Sequence, residues 1–398
     1  MVSCVNLKEA KIDRMLLFMI VASINLFQFS GLDLKVYQYI HLIVFTIIIC
    51  VSIFKKNTNY STYSNNQILL MVILPLLSLY SCNVINHQSY ALSLIVYRMH
   101  LGWLIYFYLL HKETPINSIL KTILVVGMLY MSITLIQQIT YPFAPFGART
   151  IGTKYSEHFN GGVERRMGFY RFDVGGLYYS VLSFFIILNN KIKNKIFLLL
   201  FFFLSIIASG NRQTLFSVSV AILYYYLYNN DIKHKFLILC IALLVSTIVY
   251  SYSDLIFGRL ANVDNDLESG RMPSYLFYYE KITKSSLVFM FGNGLPNSAS
   301  IYGKTIDMFG DFMVTPSDIG IIGTMYYWGA IYVIAYIFFV IKWLFTKKLS
   351  IVYKSILISF LLASPIASFL WEIDGFMLQG MLFYLCRENV LYNKNALV

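Results

Sequence analysis

Hydrophobic residues run in long stretches along most of this chain, and polar residues gather in the gaps between them. Residues 196–208 (IFLLLFFFLSIIA) show no alternation of apolar and polar positions, so the period-two pattern of a strand or a membrane β-barrel is missing. Crossing about 30 Å of hydrocarbon takes roughly 20 helical residues. A segment surrounded by lipid must also satisfy its backbone groups internally, which a helix does. The pattern predicts spans near 15–29, 36–54, 68–85, 91–110, 118–141, 174–189, 196–208, 213–229, 235–252, 317–341, 355–370 and 375–386, of which the seventh and twelfth are short. The expected fold is therefore all-α, a polytopic transmembrane helical bundle of about twelve spans. It forms a single integral membrane domain over residues 1–398.

Composition agrees with this solvent assignment. Hydrophobic residues make up 58% of the chain, charged residues 13%, and the mean hydropathy is +0.66, which excludes a water-soluble domain. The net charge of +12 raises the question of nucleic acid. Most lysines, however, lie in short connections between apolar runs, and no basic stripe with interleaved aromatics exists to hold a nucleic acid. One set of connections collects them: Lys55 and Lys56; Lys112 and Lys121; Lys191 to Lys195; Lys233 and Lys235; Lys342, Lys347, Lys348 and Lys354. The alternate set (GLDLK, NHQSY, SGNR, WEID) has little positive charge. By the positive-inside rule both termini lie in the cytoplasm. Lys8, Lys11 and Arg14 precede the first run as in a signal peptide. No small-x-small cleavage pattern follows, so an uncleaved first helix is expected. The five cysteines are dispersed, without metal-ligand spacing or a disulfide framework, and read as packing residues.

Two connections break the rule of short loops: residues 142–173 and 253–316, both on the outward side. Long loops carry function more often than short ones. Their charges do not serve topology, because they include Arg, Asp and Glu on the side that the rule leaves poor in charge. The first holds Glu157, His158, Arg165, Arg166, Arg171 and Asp173; the second holds Arg259 and Arg271. Arg212 sits in the tight SGNR turn, and Asp318 opens the tenth span within TPSDIGIIG. For Arg212 two readings stand: snorkelling to the interface, or capture of an anion by planar, permanently charged bidentate donors. In RRMGFYRFDVGG (165–176) an Arg–Asp pair is either structural or a pairing of phosphate binder with general base. Gly168, Gly175 and Gly176 would permit close approach of backbone or ligand. His158 is an incidental loop histidine or a group titrating near neutrality. His100 and Arg98 lie inside the fourth span and need a partner or a wet cavity, either as bundle glue or as a second-rank site. FGNGLPNS (291–298) lacks the Lys-Ser/Thr of a phosphate loop and reads as a turn. No His/Cys/carboxylate cluster has metal spacing, so no metal and no cofactor are expected, and any chemistry would rest on arginine electrostatics.

Three short segments carry a resemblance. RRMGFYRFDVGGLYYS (165–180) resembles an R-x-x-G-x-x-x-D/E-P segment entering a span, with Val174 where the proline usually stands. IIASGNRQTLFSVSVA (206–221) resembles S-G-S-R-[ST]-x-[LF], with Arg212 in the arginine position. FGNGLPNS followed by TPSDIGIIGTMYYWGAIYVIAYI (315–337) resembles the G-x-G and S-D-x-G-x-x-G stretches before a late span. Arg165 with Gly176 and Arg259 with Gly270 add a weaker spacing match. Together with the architecture, the chain resembles the bacterial O-antigen polymerases (Wzy type, oligosaccharide repeat unit polymerases), of the superfamily shared with the O-antigen ligases.

The resemblance implies a GT-C-like membrane glycosyltransferase of lipopolysaccharide biosynthesis in the inner membrane, with its active site facing the periplasm. Such an enzyme transfers an undecaprenyl-diphosphate-linked glycan onto a second lipid-linked repeat unit, so its partners are that donor and acceptor, the bilayer, a chain-length regulator and a flippase. Arg212, Arg166 and Arg271 would contact phosphate, with Arg165, Arg171, Arg259 and Asp318 as further substrate-binding residues. Asp173, Glu157 or His158 would be the base. The rival readings are an O-antigen ligase and a lipid-linked oligosaccharide flippase or transporter. The ligases generally carry a histidine in the late outer loop, and residues 253–316 contain none. Flippases favour short loops and polar groups within the spans. A topology reporter fused after residue 285 is expected to read as periplasmic; a cytoplasmic signal there would break the charge-based orientation.

Overall fold

The computed structural model describes residues 10–24, 26, 40, 42–44, 46–50, 69–146, 165–166, 169–170, 172, 174–190, 192–229, 271–311, 316–364 and 373–395. Helices dominate them. In chain order they are α1 (Arg14–Ser23), α2 (Leu74–Asn86, entered through a π-helical turn Leu69–Ile73), α3 (Tyr90–Tyr97), α4 (Ile105–Lys112), α5 (Ile116–Thr140), α6 (Leu177–Asn189), α7 (Lys195–Ala208) and α8 (Arg212–Asn229). Then come α9 (Arg271–Thr283), α10 (Ser286–Phe291), α11 (Ile301–Asp311), α12 (Gly320–Phe345), α13 (Ile351–Ala363) and α14 (Ile373–Asn395). A two-stranded hairpin, β1 (Arg165–Arg166) and β2 (Phe169–Tyr170), is the single sheet among the described residues.

This is a membrane protein. Among the described residues, three helical stretches are long and apolar enough to cross a bilayer: Tyr90–Lys112, Ile116–Thr140 and Gly320–Phe345. Shorter apolar helices, Arg14–Ser23, Leu177–Asn189, Lys195–Ala208 and Ile351–Ala363, stand at four further predicted spans. The ninth predicted span, 235–252, and much of the second, 36–54, lie outside the described residues. Besides the third, which opens on the π-helical turn, two further predicted spans are not continuous α-helices among the described residues. The fourth changes to 3-10 geometry over Arg98–Leu104, and the tenth opens on a 3-10 turn, Pro316–Ile319, and breaks again at Gly329.

Local sequence explains where the helices start. Asp13 caps α1, its Oδ1 accepting from Met15 N and Leu16 N at 3.1 Å each. Ser89 and Asn211 cap α3 and α8 through Leu92 N (3.4 Å) and Thr214 N (3.1 Å). Glu113 takes a left-handed φ of 50° to end α4, and Pro115 stands before the first residue of α5.

The connections sort into the two groups that the lysines separate. In the lysine-rich group Lys112 Nζ donates to Asp13 Oδ2 at 2.8 Å, Lys121 Nζ to Ala10 O at 2.5 Å, Tyr384 OH to Thr114 O at 3.1 Å and Asn393 Nδ2 to Lys348 O at 2.8 Å. In the lysine-poor group Asn86 meets Asn293, Gln138 meets Tyr170, and Gln213 Nε2 donates to Leu362 O at 2.6 Å. Gly175 passes so close to α1 that a Cβ there would lie 1.7 Å from Ile24 O. Each pair joins two members of one group, so the alternation in charge coincides with the two ends of the bundle.

The second long connection differs from a plain loop. Its described part is largely helical (α9, α10, α11), and α10 packs between α2 and α12. The chain then turns at Gly292 (φ 78°) and Gly294 (φ 69°). A Cβ on Gly292 would lie 2.4 Å from Tyr327 O, and one on Gly294 would lie 2.8 Å from Cys82 Cβ. Cys82 and Tyr327 stand well inside α2 and α12, roughly 6–10 Å from the lysine-poor ends at 1.5 Å per residue. This segment thus packs against the sides of α2 and α12 below their lysine-poor ends, where its buried backbone groups need partners from the protein.

The break in α12 supplies those partners. At Gly329 (φ 82°, ψ 165°) the helix loses its regular ladder. The carbonyls of Tyr326 and Tyr327 accept instead from Asn293 N (2.7 Å) and Gly294 N (2.9 Å). Gly329 is required twice, by its positive φ and because a Cβ would lie 2.2 Å from Met290 O. Gly329→Ala is expected to destabilise the protein by about 2–4 kcal/mol, read as a lowered melting temperature in detergent; an unchanged melting temperature would contradict the close approach.

Candidate functional site

The lysine-poor end is where the sequence concentrates its outward arginines, and the structure shows what holds that end together. The first long connection leaves α5 at the dipeptide Gln137–Gln138. Gln137 is buried, and its amide makes two bonds to one residue: Nε2 donates to Phe146 O (3.0 Å) and Oε1 accepts from Phe146 N (2.8 Å). Gln138 does the same for Tyr170, with Nε2 to Tyr170 O at 2.6 Å and Tyr170 N to Oε1 at 2.8 Å. The rings of Tyr141 and Tyr170 stack with centroids 3.8 Å apart. Tyr170 is the antiparallel partner of Arg165, and Phe169 of Arg166.

Arg212 opens α8, directly after Asn211, the helix cap, and Gly210 at φ 67°. Ser209 Oγ donates to Ile206 O at 2.7 Å and accepts from Asn211 N at 3.3 Å, which folds SGN into a tight link between α7 and α8. Helix α8 packs along α13, and α7 packs along α6 with Ser180 Oγ and Ser205 Oγ 3.1 Å apart. Arg271 opens α9, and that helix packs against both the Pro316–Ile319 turn, which contains Asp318, and α12. The structure thus brings the element carrying Arg271 together with the turn carrying Asp318.

The backbones of Arg165, Arg166, Arg212, Arg271 and Asp318 are described, while their side chains lie outside the described set. Glu157, His158, Arg171, Asp173 and Arg259 lie outside the described residues altogether. Lys284 adds little net charge to this end, because its ammonium, 2.6 Å from Glu280, hydrogen-bonds that exposed carboxylate and holds it below the usual carboxyl range. An exposed pair of this kind contributes little to stability.

The two intramembrane polar residues divide. Arg98 turns back to donate to Ile95 O at 2.9 Å. His100 is 2% exposed and is enclosed by rings, with centroids at 4.3 Å to Phe376, 4.7 Å to Trp328, 5.4 Å to Tyr97 and 6.0 Å to Tyr332. Of the two expectations for His100, the packing role is the one this enclosure fits. No family model matches the chain, and no curated protein matches it.

Gln88, in the turn between α2 and α3, is the residue that sequence reasoning missed. It is 1% exposed and uses its whole amide. Nε2 donates to Ser93 Oγ (2.9 Å) and Leu295 O (3.0 Å), and Oε1 accepts from Asn297 N (2.9 Å) and Ser300 Oγ (2.8 Å). Asn86 Nδ2 adds Asn293 Oδ1 at 3.0 Å, and Asn297 Nδ2 adds Leu92 O at 3.1 Å. FGNGLPNS, expected as a turn, is a turn of this kind: a covered one, locked to α2 and α3. The available signal was the amide-rich composition of NHQS beside an N-rich outer segment. Gln88→Leu leaves the Leu295 carbonyl and the Asn297 N–H buried without this partner and should cost about 2–4 kcal/mol, measured as a lower thermal midpoint in detergent. A wild-type midpoint would show that the lock contributes nothing.

Proposed function

We propose that this protein is an inner-membrane glycosyltransferase that polymerises undecaprenyl-diphosphate-linked oligosaccharide repeat units on the periplasmic side. What carries the reading is a coincidence of place. The elements bearing Arg165, Arg166, Arg212, Arg271 and Asp318 belong to the lysine-poor end of the bundle, the end that charge bias assigns to the outside. The proposed topology has about twelve spans with both termini in the cytoplasm and a GT-C-like arrangement.

The chemistry asks little beyond this. An acceptor hydroxyl attacks the anomeric carbon of the donor glycan; its proton passes to a base, and the bond to the lipid diphosphate breaks. Charge develops on the leaving diphosphate, where guanidinium groups act best, because they stay ionised and bind phosphate oxygens in pairs. Arg212, Arg166 and Arg271 are assigned to that role, with Arg165, Arg171, Arg259 and Asp318 holding the substrate. Asp173, Glu157 or His158 takes the proton. The absence of histidine from 253–316 supports a polymerase over a ligase.

The test is a lipopolysaccharide gel from a deletion strain, alone and complemented. Loss of the ladder with a core bearing one repeat unit is expected. A bare core with long lipid-linked chains would identify a ligase, and a bare core with units held on the cytoplasmic side a flippase. Complementation with Arg212→Lys should lower polymer at least about tenfold, equal to roughly 1.4 kcal/mol of barrier, at an unchanged membrane level. Full complementation would remove Arg212 from the site.

A further inference from the structure

Consecutive glutamines at the end of a membrane helix are an unusual expense. Gln137 is buried and Gln138 half-buried, and each amide must find both a donor and an acceptor. Gln137 and Gln138 meet that requirement in the same way: each closes a two-bond ring with the N–H and C=O of one residue, Phe146 for the first and Tyr170 for the second. A side-chain amide offers its donor and acceptor side by side, as a strand residue does. Gln138 therefore takes the place of a third strand beside β2. Successive helix positions point about 100° apart, so the two rings fasten the two ends of the first long connection in different directions.

The hairpin depends on this anchor. Two residues per strand are too few to hold a ribbon in place alone, and the residue Gln138 grips, Tyr170, is the register partner of Arg165. Fixing Tyr170 fixes the Cα positions of Arg165 and, through Phe169, of Arg166. The Tyr141–Tyr170 stack at 3.8 Å adds a second hold on the same residue.

We propose that Gln138 is a positioning residue: its amide, with the Tyr141 ring, sets where the Arg165–Arg166 strand meets the diphosphate of a lipid-linked substrate. The role of that strand rests on the polymerase reading; the anchor itself does not. Gln137 fastens the other end of the connection and leaves the strand's position to Gln138.

Hydrogen–deuterium exchange of the full-length protein in lipid nanodiscs, followed on the peptide covering 165–172, reads the anchor without any assay of activity. Gln138→Leu should speed exchange there at least about tenfold, while Gln137→Leu should speed exchange at Phe146 and leave 165–172 slow. Unchanged exchange in Gln138→Leu would overturn the anchor. In polymerisation assays Gln138→Leu should lower kcat/KM for lipid-linked donor about tenfold, with KM raised as Arg165 is displaced and kcat lowered as Arg166, assigned to the leaving diphosphate, moves with it. Faster exchange with both constants unchanged would reduce Gln138 to a structural tie. Where the wild-type protein polymerises nothing, the polymerase reading fails. A soluble short-chain prenyl diphosphate then decides: slowed exchange of 165–172 in wild type but not in Gln138→Leu upholds the positioning role, and no slowing in either overturns it. If Gln138→Leu does not accumulate in membranes, Tyr141→Leu, which removes the ring contacts to Tyr170 and Phe172 and keeps the Gln138 amide, should give smaller changes of the same sign, and no change would count against the proposal.

Discussion

Two backbone carbonyls inside a membrane helix, those of Tyr326 and Tyr327, set the arrangement of the second outward region. The turn at Gly329 removes them from the regular ladder of α12, and both residues are buried, so these carbonyls need partners from the protein. Asn293 and Gly294 donate to them instead. The helix break and the turn packed against it are thus one feature: each supplies hydrogen-bonding groups that the other lacks. Because Gly292 and Gly329 pack backbone to backbone, neither side can move without exposing polar groups to an apolar surrounding. Helices α9 and α10 are placed by the same contact, and with them the backbone of Arg271 beside the turn that contains Asp318.

Amide side chains repeat this logic at the rest of the outward end. Gln88 spends its full hydrogen-bonding capacity on three elements, and Gln137 and Gln138 each grip one backbone residue at both polar atoms. Amides suit this position because they carry donor and acceptor without a charge, so burying them costs far less than burying an ion. The lysine-rich end uses charge more freely. There Asp13 caps its own helix and pairs with Lys112, while Lys121 reaches Ala10 O, at a place where long side chains reach the interface. The two ends thus differ in chemistry as well as in charge count. The lysine-poor end holds its polar backbone with neutral amide groups.

Solvent, fold class and the division into two faces were legible in the sequence, since each depends on composition and periodicity summed over many residues. Apolar runs located α5 and α12 closely, and capping residues such as Asp13 and Ser89 stand where their helices begin. Runs did not reveal the 3-10 stretch at Arg98–Leu104 or the break at Gly329, because both keep the hydrophobic character of a span while changing its geometry. For His100, lying in a span left packing and site roles open; the rings of Tyr97, Trp328, Tyr332 and Phe376, from three parts of the chain, favour packing.

Among the candidate residues, the sequence by itself determined which arginines share the lysine-poor end, because that end follows from counting lysines in alternate connections. It could not show that the second long connection packs its FGNGLPNS turn against α2 and α12, nor that Gln88 and Gln138 hold the segments at that end. Those are pairings between residues far apart in the chain, made by polar groups whose only requirement is a partner. Which partner each of them finds is settled by how the helices pack, and that information belongs to the tertiary structure alone.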